Sequence, residues 1–328
     1  MHPLTHVASR VSVLALSMAS IAFTGQAHAQ DAYPSHPINI VVGYSAGGAN
    51  DILARILADK MSSMLKQSVI VENKPGVASI IGATYVAKAD PDGYTLFMGA
   101  SGPISFNPAL YKSLPYSPTE DFVPISLVGT FPLVLLTQTA NEQTDSLEGL
   151  KAYAAKHPDK ANYSASAASF QLMTELFKKQ TGTQFEYIPY KGSMDSITAV
   201  STGDATITLV DTGPATRVLP GGRIRALAVT SGERTQYLPD VPTMKELGID
   251  MNVELWSGLF APAGTPPEVV QKLEQTVHDA LQAPDVQKRI AALAITPKSA
   301  TSKAFSAMID KEITLWKRVA REANIPLN

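Results

Sequence analysis

Short apolar runs alternate with longer amphipathic stretches along most of the chain. The run from Ile38 to Val42 is continuously apolar, as in a buried strand, and residues 51–66 follow with apolar side chains at helical spacing. The same alternation recurs through a strand predicted at 95–98 and through a second series that begins near Leu133. Strands separated by helices are typical of βα units around a largely parallel sheet. The pattern therefore predicts an α/β protein.

The last quarter of the chain is predicted to be mostly helical. Thr265-Pro266-Pro267-Glu268 has the sequence of a capping box with proline in the first turn, and it predicts a helix to about residue 283. A final helix to about Glu322, capped by Thr301 or Ser302, has one apolar face. That face consists of Phe305, Ile309, Ile313, Trp316 and Val319 or Ala320.

Residues 1–29 have the three parts of a secretory signal peptide. Arg10 supplies a positive charge, an apolar run extends from Val11 to Phe23, and Ala27-His28-Ala29 places small residues at positions −3 and −1. The apolar run is shorter than the roughly twenty residues that a membrane-spanning helix needs. We expect cleavage after Ala29 and a soluble periplasmic protein.

Composition excludes several kinds of chemistry. The 328 residues include no Cys, which excludes disulfides, thiolate catalysis and Cys-ligated metals. The three histidines that remain after processing, His36, His157 and His278, lack a metal-ligand spacing. The formal net charge of −2 makes nucleic acid an unexpected partner, and the common hydrolase, P-loop and dinucleotide motifs are absent. We therefore expect no catalytic residue, no metal and no cofactor.

A loop rich in small residues follows the first predicted strand, at the end where open α/β sheets bind ligands. Its tandem glycine lets the backbone approach a ligand, and the helix start behind it favours an anion such as a carboxylate. A plain strand-to-helix turn, capped by Asn50 or Asp51, is the alternative. The candidate binding residues of this loop are Tyr44, Ser45, Ala46, Gly47, Gly48, Asn50 and Asp51.

Two further loops and one acidic residue extend the candidate site. Ser101 follows the strand at 95–98, and three hydroxyls precede a later helix, where they could hold an acceptor-rich group directly or through water. Those three are Ser164, Ser166 and Ser169. Asp211 follows another apolar strand and could meet an amine or donor of the ligand, or cap the next helix. Together the loops predict a ligand held across a cleft.

An ordered series of motifs resembles the substrate-binding proteins of tripartite tricarboxylate transporters, also called Bug proteins. The series covers nearly the whole chain after the signal peptide. It comprises Tyr33-Pro34-Ser35-His36-Pro37-Ile38, Val71-Glu72-Asn73-Lys74-Pro75-Gly76, Asp90-Pro91-Asp92-Gly93-Tyr94-Thr95-Leu96, Leu114-Pro115-Tyr116, Asp121-Phe122, Tyr190-Lys191-Gly192-Ser193 and Gly258-Leu259-Phe260-Ala261-Pro262-Ala263-Gly264-Thr265-Pro266.

The resemblance implies a periplasmic-binding-protein architecture, in which two α/β domains close over a small organic carboxylate. We place the first domain at residues 30–132 plus 255–328 and the second at 133–254. The resemblance also implies delivery of the ligand to the membrane subunits of a tripartite tricarboxylate transporter. The expected protein is a monomer and not an enzyme.

The resemblance also implies roles for the candidate residues. In the family, the loop from Tyr44 to Asp51 grips one carboxylate through backbone N–H groups and ordered water. Residues 164–169 belong to the opposing domain, and Ser101 and Asp211 fall where the family has further ligand contacts.

Two departures from the family pattern bear on the choice of ligand. Ser45-Ala46 replaces the usual Pro-Pro of the first loop, which restores an N–H at each position and adds a hydroxyl. The second loop lacks the usual glycines and histidine and has Phe170-Gln171 near that place. An aromatic ring there could favour a flat ligand such as terephthalate, whereas Phe170 could equally point into the core as part of its helix.

The loops favour a binding site for a carboxylate, and the resemblance implies a periplasmic solute-binding protein for a di- or tricarboxylate, which works by domain closure. The same fold could instead serve a sensor that presents the carboxylate to a receptor kinase. A secreted hydrolase or isomerase would require a catalytic base, for which the sequence offers no recognised motif.

Overall fold

The computed structural model describes residues 33–328, so the predicted signal peptide and its cleavage after Ala29 lie outside the described residues. Strands and helices alternate from the first strand onward. The strands are β1 (Ile38–Val42), β2 (Val69–Asn73), β3 (Thr95–Ala100), β4 (Phe122–Gln138), β5 (Asn162–Ala165), β6 (Glu186–Pro189), β7 (Ile207–Asp211), β8 (Ile224–Val229), β9 (Glu254–Pro262) and β10 (Thr296–Pro297). The α-helices are α1 (Ala49–Leu65), α2 (Ile80–Ala87), α3 (Asn107–Leu110), α4 (Leu147–Lys156), α5 (Ala168–Thr181), α6 (Ser193–Thr202), α7 (Thr212–Val218), α8 (Pro267–Gln282), α9 (Pro284–Ala291) and α10 (Ser302–Glu322).

The strands form one curled sheet with β4 at its centre. The strand order is β2-β1-β3-β9-β4-β7-β5-β6, and β8 and β10 also pair with β4. β1 is parallel to β2 and β3, and β5 is parallel to β6 and β7, with helices as the connections. β9 is antiparallel to both β3 and β4. The predicted α/β class is confirmed, and an antiparallel centre joins its two parallel groups.

Strand β4 changes partners halfway along its length. Phe122 to Pro132 pairs with β9, and Leu133 to Gln138 pairs with β7 and β8. This change falls at the domain boundary predicted between residues 132 and 133. Residues 36–328 nevertheless form one unit, and the division into two domains stays a prediction.

Strand β9 and the first part of β4 were not predicted. Pro124, Gly129 and Pro132 lie within β4, and such residues ordinarily interrupt a strand. The register of β4 against β9 shifts between Pro124 and Ser126 and again between Leu127 and Gly129. These irregularities let an otherwise continuous strand contain residues that the sequence pattern treats as breaks.

Both predicted C-terminal helices form, but only one of them has its predicted cap. Helix α8 begins at Pro267 with Pro266 at the N-cap, and the Thr265 hydroxyl donates to the Pro262 carbonyl at 2.8 Å. The Thr265 hydroxyl therefore bonds to the last residue of β9 and does not cap α8, so the predicted capping box is wrong. Thr301 does cap α10, because its hydroxyl accepts a hydrogen bond from the Ala304 N–H at 3.3 Å.

The apolar face of α10 joins the elements around β4 into a shared core. Trp316 is 1% exposed and its ring centroid lies 4.8 Å from that of Phe106. Both belong to an apolar cluster that also contains Leu133 of β4 and Tyr163 of β5. Phe305 and Ile309 of the same helix belong to a second apolar cluster with Val41 of β1 and Phe97 of β3, so α10 contributes to the core in both parts of the sheet.

Candidate functional site

A cavity of about 690 Å³ opens where the carboxyl ends of β1, β3 and β7 meet. Polar side chains line much of it, namely Tyr44, Asn50, Ser101, Ser169, Asp211, Thr212, Thr216 and Arg217. Its apolar walls come from Ile52, Phe106, Phe131, Leu255 and residues 292–295. The mixture of apolar surface with a few polar groups is typical of small-molecule sites.

The turn after β1 brings the N-terminus of α1 to this cavity. Gly47 has φ +82°, a left-handed conformation that glycine adopts without strain. Ala49 and Asn50 then form the first turn of α1 and line the cavity. Within residues 33–328, no acceptor receives the backbone N–H of either residue. Two free donors therefore lie at the positive end of a 17-residue helix.

Asp51 holds this turn in place and does not line the cavity. It is 2% exposed, and its carboxylate accepts hydrogen bonds from the Gly47 N–H at 2.8 Å, from Asn73 Nδ2 at 2.9 Å and from Arg55 Nε at 3.1 Å. Burial alone would raise the pKa of Asp51, but the donors on Arg55, Gly47 and Asn73 outweigh it and lower the pKa. The ionised carboxylate thus stabilises the loop from inside.

Three side chains add further donors to the cavity. The Asn50 Oδ1 accepts a hydrogen bond from the Ser257 hydroxyl, which leaves Asn50 Nδ2 available. Ser101 is only 3% exposed, and its hydroxyl has no hydrogen-bond partner among the described residues. The Tyr44 hydroxyl likewise lacks a protein partner there, and burial raises its pKa, so it stays protonated. These groups could all donate to one acceptor-rich ligand.

The end of β7 and helix α7 supply another wall. Asp211 is the last residue of β7, and its Oδ2 accepts a hydrogen bond from the Ser193 hydroxyl at 3.0 Å. Burial raises the pKa of Asp211, against the opposing effect of the Ser193 donor. Asp211 occupies the N-cap position of α7 but its side chain makes no cap hydrogen bond. Arg217 lies in the last turn of α7 and is exposed.

The structure brings six of the thirteen predicted binding residues to the cavity. Those six are Tyr44, Gly47, Asn50, Ser101, Ser169 and Asp211. Ser45, Ala46 and Gly48 form the exposed outer part of the first turn, and Asp51 lies beneath it.

The remaining three predicted residues lie in β5, in the loop that follows it and in the first turn of α5, and none of them lines the cavity. Ser164 is fully buried and donates to the Ser196 carbonyl at 3.1 Å. Ser166 is half-buried. Phe170 is 8% exposed and belongs to the apolar cluster that contains Trp316, so its ring packs in the core.

Sequence reasoning missed the α7 side chains and the segment 292–295. The sequence Thr212-Gly213-Pro214 is typical of a turn, yet it forms the first part of a helix. Gly213 and Pro214 are turn residues, and they hide any helical pattern in this stretch of sequence. The segment 292–295 reaches the cavity from a distant part of the chain, for which no local pattern gives a signal.

The described residues hold neither a metal-binding cluster nor a membrane-spanning helix. Across residues 33–328, no three His, Asp or Glu side chains are grouped so that they could hold a metal ion. In the same part of the chain, the helices are all too short or too polar to cross a membrane.

Comparison with known proteins identifies relatives over most of the chain. Residues 53–325 match the family described as Tripartite tricarboxylate transporter family receptor. Protein BugT of Bordetella pertussis (strain Tohama I) is 36% identical over 301 residues, which cover 90% of this chain and 92% of BugT. This agrees with the resemblance that the sequence motifs indicate.

Solved structures of similar proteins share the fold. An R. palustris protein solved with adipate is 31% identical, with a TM-score of 0.76 over 90% of this chain and 100% of that one. MatC from Rhodopseudomonas palustris, solved with bound malate, is 29% identical, with a TM-score of 0.71 over 88% of this chain and 99% of that one. The predicted fold of periplasmic binding proteins is therefore confirmed.

Proposed function

Since the chain belongs to the tripartite tricarboxylate transporter receptor family, a family of periplasmic solute-binding proteins, we propose that it captures a small carboxylate and delivers it to the membrane subunits of such a transporter. It binds the ligand without converting it. The observation that carries this proposal is the group of unpaired donors at the N-terminus of α1.

The donors suit a carboxylate in number and in charge. They are the N–H groups of Ala49 and Asn50, Asn50 Nδ2, and the hydroxyls of Tyr44 and Ser101. A hydrogen bond to a charged acceptor contributes about 1.5–3 kcal/mol, and the positive end of a helix adds to it. A carboxylate offers about four lone-pair positions, so several of these donors can bind one ligand group.

Capture by closure of two domains supports the same role. The proposed domains are residues 30–132 plus 255–328 and residues 133–254, after removal of a signal peptide at Ala29. The cavity wall includes Asn50 from the first set and Asp211 from the second. A ligand that contacts both would favour a closed state over an open one.

The experiment uses residues 30–328, freed of co-purified ligand by unfolding and refolding. Thermal midpoints are measured with aliphatic di- and tricarboxylates, terephthalate, aromatic and aliphatic monocarboxylates, and neutral alcohols of matched size. A ligand at about a hundred times its Kd adds about 2.7 kcal/mol to the free energy of unfolding. A rise of the midpoint with an acid, and none with the matched alcohol, is expected.

A variant pair tests the site. Asn50→Asp keeps the shape of the side chain but places a negative charge beside the free N–H groups, so it should abolish binding. Asn252→Asp makes the same change at an exposed position that does not line the cavity, and should bind as wild type does. If no acid raises the midpoint, or if both variants bind equally, the proposed site is wrong. Uptake of the labelled acid by cells with and without this chain tests delivery.

A further inference from the structure

Helix α7 places a cationic side chain on the wall of the cavity. Arg217 is the only Lys or Arg among the described residues that line it. It is exposed, and it makes no ion pair with any residue from 33 to 328. An arginine near a helix C-terminus is common on protein surfaces. This one differs because it also lines the cavity.

The acidic residue of the same wall does not neutralise Arg217. Asp211 is the only carboxylate among the described lining residues, and it accepts a hydrogen bond from Ser193 without forming an ion pair with Arg217. Burial of the Asp211 carboxyl raises its pKa and so favours its uncharged form. The guanidinium stays protonated in proteins, and since no carboxylate among the described residues forms an ion pair with it, it can pair with an acidic group of a ligand.

Apolar residues form another part of the wall. Phe106, Phe131, Leu255 and Ile295 offer rings and aliphatic groups but no polar side-chain atoms. The cavity thus combines unpaired donors from the β1–α1 turn, a cation from α7, and apolar surface. This combination matches a molecule with two acidic groups joined by a hydrocarbon chain or ring.

We infer that Arg217 binds the second acidic group of the ligand and thereby makes the site select diacids over monoacids of the same length. The inference rests on the proposed carboxylate-binding function. The planar guanidinium can donate two parallel hydrogen bonds to one carboxylate, which a water-exposed hydroxyl cannot match. Closure would remove water from this pair and strengthen it.

Calorimetric titration compares acids that differ only at the second group. The pairs are succinate with butyrate, adipate with hexanoate, and terephthalate with benzoate. The proteins are wild type, Arg217→Gln, and Arg223→Gln as a matched control, since Arg223 is exposed just before β8 and does not line the cavity. Thermal midpoints without ligand check that the variants fold.

In the wild type, a diacid that binds should have an affinity at least about tenfold higher than its matched monoacid. This ratio corresponds to the free energy of one charge-assisted hydrogen bond. Arg217→Gln should bring the affinity for the diacid close to that for the monoacid and leave the monoacid affinity unchanged. Arg223→Gln should leave the affinities for the diacid and the monoacid as they are in the wild type. Equal wild-type affinity for diacid and monoacid, or an unchanged ratio in Arg217→Gln, would overturn the assignment while leaving the proposed function intact. If no acid binds the wild type, the proposed function itself fails.

Discussion

Replacing Glu312 by glutamine should remove a loss of stability that the wild-type protein undergoes as the pH rises. Glu312 lies on α10 and accepts a hydrogen bond from Trp256 Nε1 at 2.8 Å. Burial raises the pKa of its carboxyl from 4.5 to about 7, although the Trp256 donor opposes the change. The substitution breaks no ion pair, because no lysine or arginine within residues 33–328 forms one with Glu312.

The size and sign of the effect follow from proton linkage. Between pH 4.5 and about 7 the folded protein holds a proton on Glu312 that the unfolded chain has released. The free energy of unfolding therefore falls with rising pH over this range, by up to about 1.36 kcal/mol per pH unit, or about 3 kcal/mol in all. Below pH 4.5 this contribution is fully present, and above the folded pKa it is lost.

Urea unfolding of wild type and Glu312→Gln, measured at intervals from about pH 4 to about pH 8, isolates this residue. Other titrating groups contribute equally to both proteins, so the difference between the two free energies reports on Glu312 alone. We expect Glu312→Gln to gain about 3 kcal/mol relative to wild type across the range. A difference that stays constant with pH would refute the reasoning, because it would mean that the carboxyl titrates alike in the folded and unfolded states.

Two further substitutions test the fold around the site. Gly258→Ala would place a Cβ 2.4 Å from ring atoms of the fully buried Phe305. This overpacking should lower the free energy of unfolding, measured with urea, by about 1–3 kcal/mol. Gly221→Ala is the control, because no atom lies within 4 Å of its new Cβ, and its free energy of unfolding should change little. Asp51→Asn should lower the free energy of unfolding by about 1–3 kcal/mol at about pH 7 and by less at about pH 3. The difference arises because the wild-type carboxylate loses its stabilising effect as the pH falls through its lowered pKa. A larger cost at the acidic pH than at neutral pH would contradict the second expectation.

The sequence pattern predicts the parallel parts of the fold well because each of them is a local unit. The bounds of β1, α1 and β3 differ from the prediction by two residues or fewer, because β1 is a continuous apolar run and α1 has apolar residues at helical spacing. The antiparallel centre is different. Strand β9 and the first part of β4 depend on each other for pairing, and their prolines and glycines obscure the pattern.

The site residues likewise divide into those that a local sequence pattern predicts and those that it does not. Tyr44, Ser101 and Asp211 could be found because each follows a recognisable strand, and strand ends gather at one edge of a sheet. Arg217 could not, since Gly213 and Pro214 make a short helix resemble a turn. Whether a hydroxyl such as that of Ser164 faces the cavity or a neighbouring carbonyl depends on tertiary packing, which periodicity does not encode.

The partner change within β4 has a consequence for how this fold can evolve. One unbroken backbone pairs with β9 over its first part and with β7 and β8 over its second, and Trp316 of α10 belongs to the same apolar cluster as Tyr163 of β5. A recombination event that exchanged residues 133–254 between two relatives would join two foreign pieces in the middle of a hydrogen-bonded strand. The unit that can be exchanged without breaking a strand is therefore the whole sheet with its C-terminal helix. New ligand preferences should arise more readily by substitution at the cavity wall than by exchange of residues 133–254.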